Sequence, residues 1–131
     1  MPYSINHIHL KSADPPTSAA WWASAFNLTI ESDTTRPAFG DRFIVCKSEG
    51  GLNVMISGPR SGETLGPADA SPHLGLEHFG FESANLEADV ARLTGLGAEL
   101  AEGPMEAAPG VRICFLRTPD DIRVELIERD S

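Results

Sequence analysis

Three histidines and one glutamate stand at places where a strand would ordinarily present apolar side chains. His7 and His9 alternate with Ile8 and Leu10, and His78 sits in a second stretch of the same kind. Glu125 lies inside the otherwise apolar run Val124-Glu125-Leu126-Ile127. A carboxylate on a covered sheet face must be paired or ligated, because an isolated buried charge is expensive. Two imidazoles and one carboxylate converging on a point suit a divalent metal ion with positions left open for substrate. Taken singly, each residue has a plainer reading. A strand histidine is more often a hydrogen-bonded structural residue, and a lone glutamate is more often a surface charge. His9, two residues after His7, projects from the same face, either as an acid–base group beside the ion or as a packed imidazole. Arg123 shares a strand face with Glu125 and either steers an anionic substrate or pairs with a surface carboxylate. His73 is a further imidazole, at the edge of a Gly/Pro-rich segment.

The elements that must position these residues can be read in order. Tyr3–Lys11 alternates as a strand. Asp14-Pro15 is an N-cap followed by proline at the first helical position, opening a helix with the stripe Ala19, Trp22, Ala23 and Phe26. Trp21 offers no stacking platform with it. Leu28–Ser32 is a short strand, Thr34–Asp41 a loop, and Arg42–Lys47 and Leu52–Ser57 are strands joined through Ser48-Glu49-Gly50-Gly51. Gly58–Pro72 is a linker or a mobile cover. The order then recurs: a strand over Leu74–Glu82, a helix capped by Asn85 with Leu86, Val90, Leu93 and Leu96 on one face, a short strand at Glu99–Ala101, and a hairpin of Val111–Leu116 with Ile122–Glu128 around Thr118-Pro119-Asp120-Asp121.

The recurrence extends to single residues. A shift of 71 lays Ile5-Asn6-His7-Ile8-His9-Leu10-Lys11-Ser12-Ala13-Asp14 on Leu76-Glu77-His78-Phe79-Gly80-Phe81-Glu82-Ser83-Ala84-Asn85 without a gap, histidine on histidine and cap on cap. A shift of 70 lays Leu52-Asn53-Val54-Met55-Ile56 on Ile122-Arg123-Val124-Glu125-Leu126.

Composition narrows the functions. Ten Lys and Arg against nineteen Asp and Glu give a net charge of −9, which repels phosphate backbones and anionic membranes, so no nucleic-acid or membrane partner is expected. No apolar run reaches the ~18–20 residues of a membrane span, and the opening residues lack the basic-then-apolar form of a signal peptide. Cys46 and Cys114 have no metal or redox spacing and read as reduced thiols, so a cytoplasmic protein is expected.

The stretches around His7, around His78 and from Cys114 to Leu126 together resemble the vicinal oxygen chelate superfamily, which includes glyoxalases, fosfomycin-resistance and bleomycin-binding proteins and extradiol dioxygenases. The resemblance covers essentially the whole chain. It implies an α+β fold of paired β-α-β-β-β modules (about residues 3–57 and 74–128, joined by 58–73) forming one domain over 1–131. The expected sheet is concave, eight-stranded and mixed, with helices on its outer face. It implies metal ligation by His7, His78 and Glu125. A fourth ligand common in the family falls on Met55, a soft thioether that would line the site without coordinating. The family's Asp-Pro-Asp-Gly turn is replaced by Thr118-Pro119-Asp120-Asp121, which loses a glycine from a positive-φ position.

These readings give a metal-dependent enzyme, with Fe2+, Mn2+, Zn2+ or Ni2+ equally compatible. It would act on a small substrate with vicinal oxygens by lyase or isomerase chemistry, with His9 carrying a proton and Met55 and Arg123 lining the substrate. An Fe2+ extradiol-type dioxygenase and a metal-free protein that binds an antibiotic or small metabolite are the alternatives. A homodimer is expected, with the site within one chain or shared between two.

Overall fold

The computed structural model describes residues 2–130. It divides into two compact units, Met1–Gly66 and Pro67–Ser131. In the first, β1 (His7–Lys11) is followed by α1 (Pro15–Phe26), β2 (Thr29–Thr35), β3 (Arg42–Lys47) and β4 (Asn53–Ser57). In the second, β5 (Phe79–Glu82) is followed by α2 (Leu86–Gly95), β6 (Glu99–Ala108), β7 (Val111–Thr118) and β8 (Ile122–Arg129), with a 3-10 turn at Pro119–Asp121. Each unit holds one four-stranded mixed sheet, ordered β1-β4-β3-β2 and β5-β8-β7-β6. The architecture is α+β, with eight strands in the two sheets.

The helices begin where the chain chemistry says they should. Asp14 accepts from Thr17 N at 3.4 Å and Asn85 from Ala88 N at 3.0 Å, each satisfying a donor that the first turn leaves unpaired. Asn27 ends α1 in the left-handed region at φ 57°. The helices pack on one sheet face, and the buried residues correspond across the repeat. Ile44, Cys46, Val54 and Ile56 under Trp22 match Cys114, Leu116, Val124 and Leu126 under Leu93, all at 3% exposure or less. Truncating a side chain such as Leu93 to alanine would cost about 2–5 kcal/mol. Because side chains alternate, the residues between these project to the opposite face, where the histidines and Glu125 lie.

Several element boundaries differ from the sequence reading. Residues 3–6 and 74–78 are not strand, so His7 opens β1 and His78 lies one residue before β5. β2 runs on to Thr35, two residues into the expected loop. β6 extends to Ala108 through register shifts and a cis Gly103–Pro104 bond, which strand propensity does not favour. The turn without glycine places Asp120 and Asp121 at φ 64° and 54°, positive-φ positions that aspartate tolerates better than most residues.

Candidate functional site

In the second unit the β5–β8 register sets Gly80 beside Glu125, so His78, Gly80 and Glu125 share the sheet face away from α2. Gly80 keeps that face clear: a Cβ there would stand 3.4 Å from Glu125 Oε1. His78 Nε2 faces Glu125 Oε1 at 3.6 Å, and the Glu125 side chain is 16% exposed. The other ring nitrogen, Nδ1, is 2.7 Å from Glu77 Oε1. A carboxylate only accepts, so Nδ1 carries the proton in that bond. Phe115, opposite Glu125 in the β7–β8 register, meets the His78 ring edge-on at 5.0 Å between centroids.

Arg123, two residues before Glu125 on the same face of β8, braces this arrangement. It is 5% exposed, its Nε donates to Glu77 Oε1 at 3.1 Å and its Nη2 to Glu102 Oε2 at 2.9 Å. The guanidinium lies 4.1 Å from the centre of the Phe115 ring, a cation–π contact. The His78 hydrogen bond first, and the Arg123 charge with it, hold the Glu77 carboxyl below its ordinary value. Arg123 also lines a cavity of about 550 Å3 with Ala70, Pro72, Leu100, Glu102 and Arg117. Of the two readings open for it, steering an anionic substrate or pairing with a carboxylate, the contacts are those of the second: its donors engage Glu77 and Glu102 while it reaches the cavity wall.

In the first unit the equivalent register sets His9 beside Met55 on β4. His9 Nε2 is 2.7 Å from Ser57 Oγ, and Lys11 Nζ donates to the same oxygen at 3.0 Å and to Gly58 O at 3.0 Å. Burial, then the Lys11 charge, then those of His7 and Arg36, push the His9 imidazole below its ordinary value, so the neutral ring is favoured. His7 is exposed, with Nδ1 2.9 Å from Asn6 Oδ1. Its register partner Asn53 holds a buried side-chain oxygen with no hydrogen-bond partner among the described residues. His73 stands apart from this chemistry. Both its ring nitrogens face carbonyl oxygens, of Ser71 at 2.7 Å and Leu76 at 3.0 Å, and these bonds raise its pKa.

His78 and Glu125 fit two donor positions of one divalent ion. Two such donors at about 2.1 Å from an ion sit about 3.0–3.4 Å from each other, so 3.6 Å needs a closure of a few tenths of an ångström. Among the described residues, no three His, Cys, Asp or Glu side chains form a ready metal cluster. Glu77, Ser57 and Lys11 were not singled out from the sequence. The available signal was that a polar residue precedes each repeated histidine, Asn6 before His7 and Glu77 before His78.

No helix among the described residues is long and apolar enough to cross a membrane. No curated protein matches the chain. Similar solved structures include a glyoxalase family protein from Bacillus cereus, with a TM-score of 0.86 at 16% identity over 100% of this chain and 97% of that one. A glyoxylase/bleomycin resistance protein/dioxygenase domain from Frankia sp. superposes with a TM-score of 0.78 at 21% identity, covering 100% and 95%. A fosfomycin resistance protein from Listeria monocytogenes gives 0.71 at 18% identity, covering 99% and 94%. These likenesses establish the fold. Residues 6–115 match the family described as Glyoxalase/Bleomycin resistance protein/Dioxygenase superfamily, and with most of the chain inside that match, the protein belongs to this superfamily.

Proposed function

We propose that this chain is a divalent-metal-dependent enzyme for a small substrate with vicinal oxygens, of the lyase or isomerase kind. The observation that carries the reading is the imidazole–carboxylate pair of His78 and Glu125, facing each other at 3.6 Å on a face that Gly80 leaves open. His78 and Glu125 would hold the ion, with His7 as third donor, supplied by the same chain or by a second copy. When bound, the ion would supply positive charge to a substrate oxygen as negative charge develops there. Glu77 fixes the His78 ring and Arg123 fixes Glu77. His9, anchored on Ser57 and held neutral, would take and return the substrate proton. Met55 beside it would line the substrate space.

The alternative readings are an Fe2+ extradiol-type ring-cleaving dioxygenase and a metal-free small-molecule binding protein in which the histidines only line the ligand space. Elemental analysis of protein purified without chelator or affinity-tag metal, with an oxygen-uptake assay on catechols, separates the readings. About one equivalent of a divalent metal without catechol-dependent oxygen uptake is expected. Iron with oxygen uptake would replace the proposal by a ring-cleaving dioxygenase, and protein that neither holds nor takes up metal would replace it by a binding protein.

A further inference from the structure

Both repeated histidines present the same ring nitrogen, for the same reason. In each unit the residue immediately before the histidine places a side-chain oxygen on Nδ1: Asn6 Oδ1 on His7 at 2.9 Å, and Glu77 Oε1 on His78 at 2.7 Å. The two contacts occur in separate units and use different chemistry, an amide and a carboxylate, at positions 71 apart in sequence. An oxygen acceptor on Nδ1 selects the tautomer protonated there and leaves the Nε2 lone pair free for a ligand. In the second unit that nitrogen points at Glu125. Two acceptors, a Glu125 oxygen and an Nε2 lone pair, repel unless a proton or a metal cation lies between them.

We propose that Asn6 and Glu77 are positioning residues that set the His7 and His78 tautomers, presenting Nε2 of each ring, and that Arg123 sets the aim of Glu77. The proposal rests on the metal reading only for its purpose; the tautomers themselves require no metal. Arg123 suits the part because it is 5% exposed and spans Glu77, Glu102 and the Phe115 ring, so Glu77 cannot rotate away without leaving a buried guanidinium short of a partner. The amide of Asn6 accepts more weakly than a carboxylate and lies on an exposed ring, so the His78 assignment should be the firmer of the two.

Long-range 15N–1H spectra of the metal-free protein near pH 8.5, where an ordinary imidazole is neutral, read the tautomers directly. The expected result is protonated Nδ1 on both rings, fully so on His78. Glu77→Ala should move His78 towards the Nε2-protonated form and weaken Co2+ binding by about 10–100-fold, with Glu77→Gln recovering most of both. Asn6→Ala should shift His7 alone. Thermal melting of each variant checks that the fold is kept, and Arg123→Met gives a second route to loosening Glu77. A wild-type His78 protonated on Nε2, or a tautomer indifferent to Glu77→Ala, would overturn the proposal. A wild type that binds no Co2+ while its tautomers still answer to Asn6 and Glu77 would end the metal reading and leave this one standing.

Discussion

Glu125 and His9 carry the heaviest expectations at the scale of single residues. Glu125→Gln keeps the volume and removes the charge that makes the side chain a donor for a hard divalent ion. It should lower Co2+ affinity at least tenfold in an equilibrium titration; unchanged affinity and stoichiometry would remove Glu125 from the site. His9→Ala should retain metal and fold and lower kcat by about 10²–10⁴-fold on an identified substrate, the scale of a lost general acid or base. Wild-type kcat in that variant would leave proton transfer to another group. His7, His78, Glu125 and His9 stand out in the sequence as candidates because a charged or imidazole side chain breaks an apolar strand pattern visibly. Glu77 and Ser57 were not, since one precedes its strand as an ordinary polar residue and the other ends its strand as an ordinary serine. Their roles come from what they touch, which spacing alone does not encode.

At the scale of elements, the helix caps, the repeat and the central strands followed from local chemistry. The strand starts did not, because Tyr3–Asn6 and Leu74–Glu77 alternate correctly yet make no ladder. Pattern states which face a segment could bury, and pairing decides whether it becomes a strand. The turn from β2 to β3 carries a testable consequence. Asp41 is 1% exposed and takes a bidentate bond from Arg36, with Nε at 2.8 Å from Oδ1. Phe39 and Phe43 face the same guanidinium at 4.5 and 4.1 Å. The Arg36 hydrogen bond holds the Asp41 carboxyl below its ordinary value. A carboxyl depressed in the folded state contributes stability above its unfolded pKa of about 3.9, and that contribution is lost as pH falls through the folded value. Urea unfolding followed from pH 7 to pH 3 should therefore show stability falling below about pH 4. Asp41→Asn should be less stable at pH 7 and flatter across that acid window; an equal pH slope in the variant would refute the assignment.

For the whole molecule, the apolar residues that the chain leaves bare are informative. Tyr3 and Ile5 are 101% and 82% exposed, and their counterparts 71 residues on, Leu74 and Leu76, are 98% and 82% exposed. All four precede β1 and β5, each of which is hydrogen-bonded along one edge only within its sheet. Open edges flanked by large apolar side chains are surfaces that proteins normally cover. A second copy of this chain, bringing the same surfaces in twofold symmetry, would cover them, and the expected state is a homodimer. Sedimentation at micromolar concentration should give twice the 14.0 kDa chain mass, and Ile5→Asp with Leu76→Asp should shift it towards monomer. A wild-type monomer would contradict this and, if metal were bound at full occupancy, would place the whole donor set in one chain.

The register of the two first strands has one more consequence. Where the first unit sets an imidazole, His9, beside a thioether, Met55, the second sets a glycine, Gly80, beside a carboxylate, Glu125. Two copies of one supersecondary plan thus differ in chemistry at a single pair of register positions. One copy keeps a bulky, polarisable pair; the other keeps an anion with room in front of it. Such a molecule can change its chemistry in one half while the other half conserves its scaffold, which makes duplication a source of evolvability as well as of symmetry.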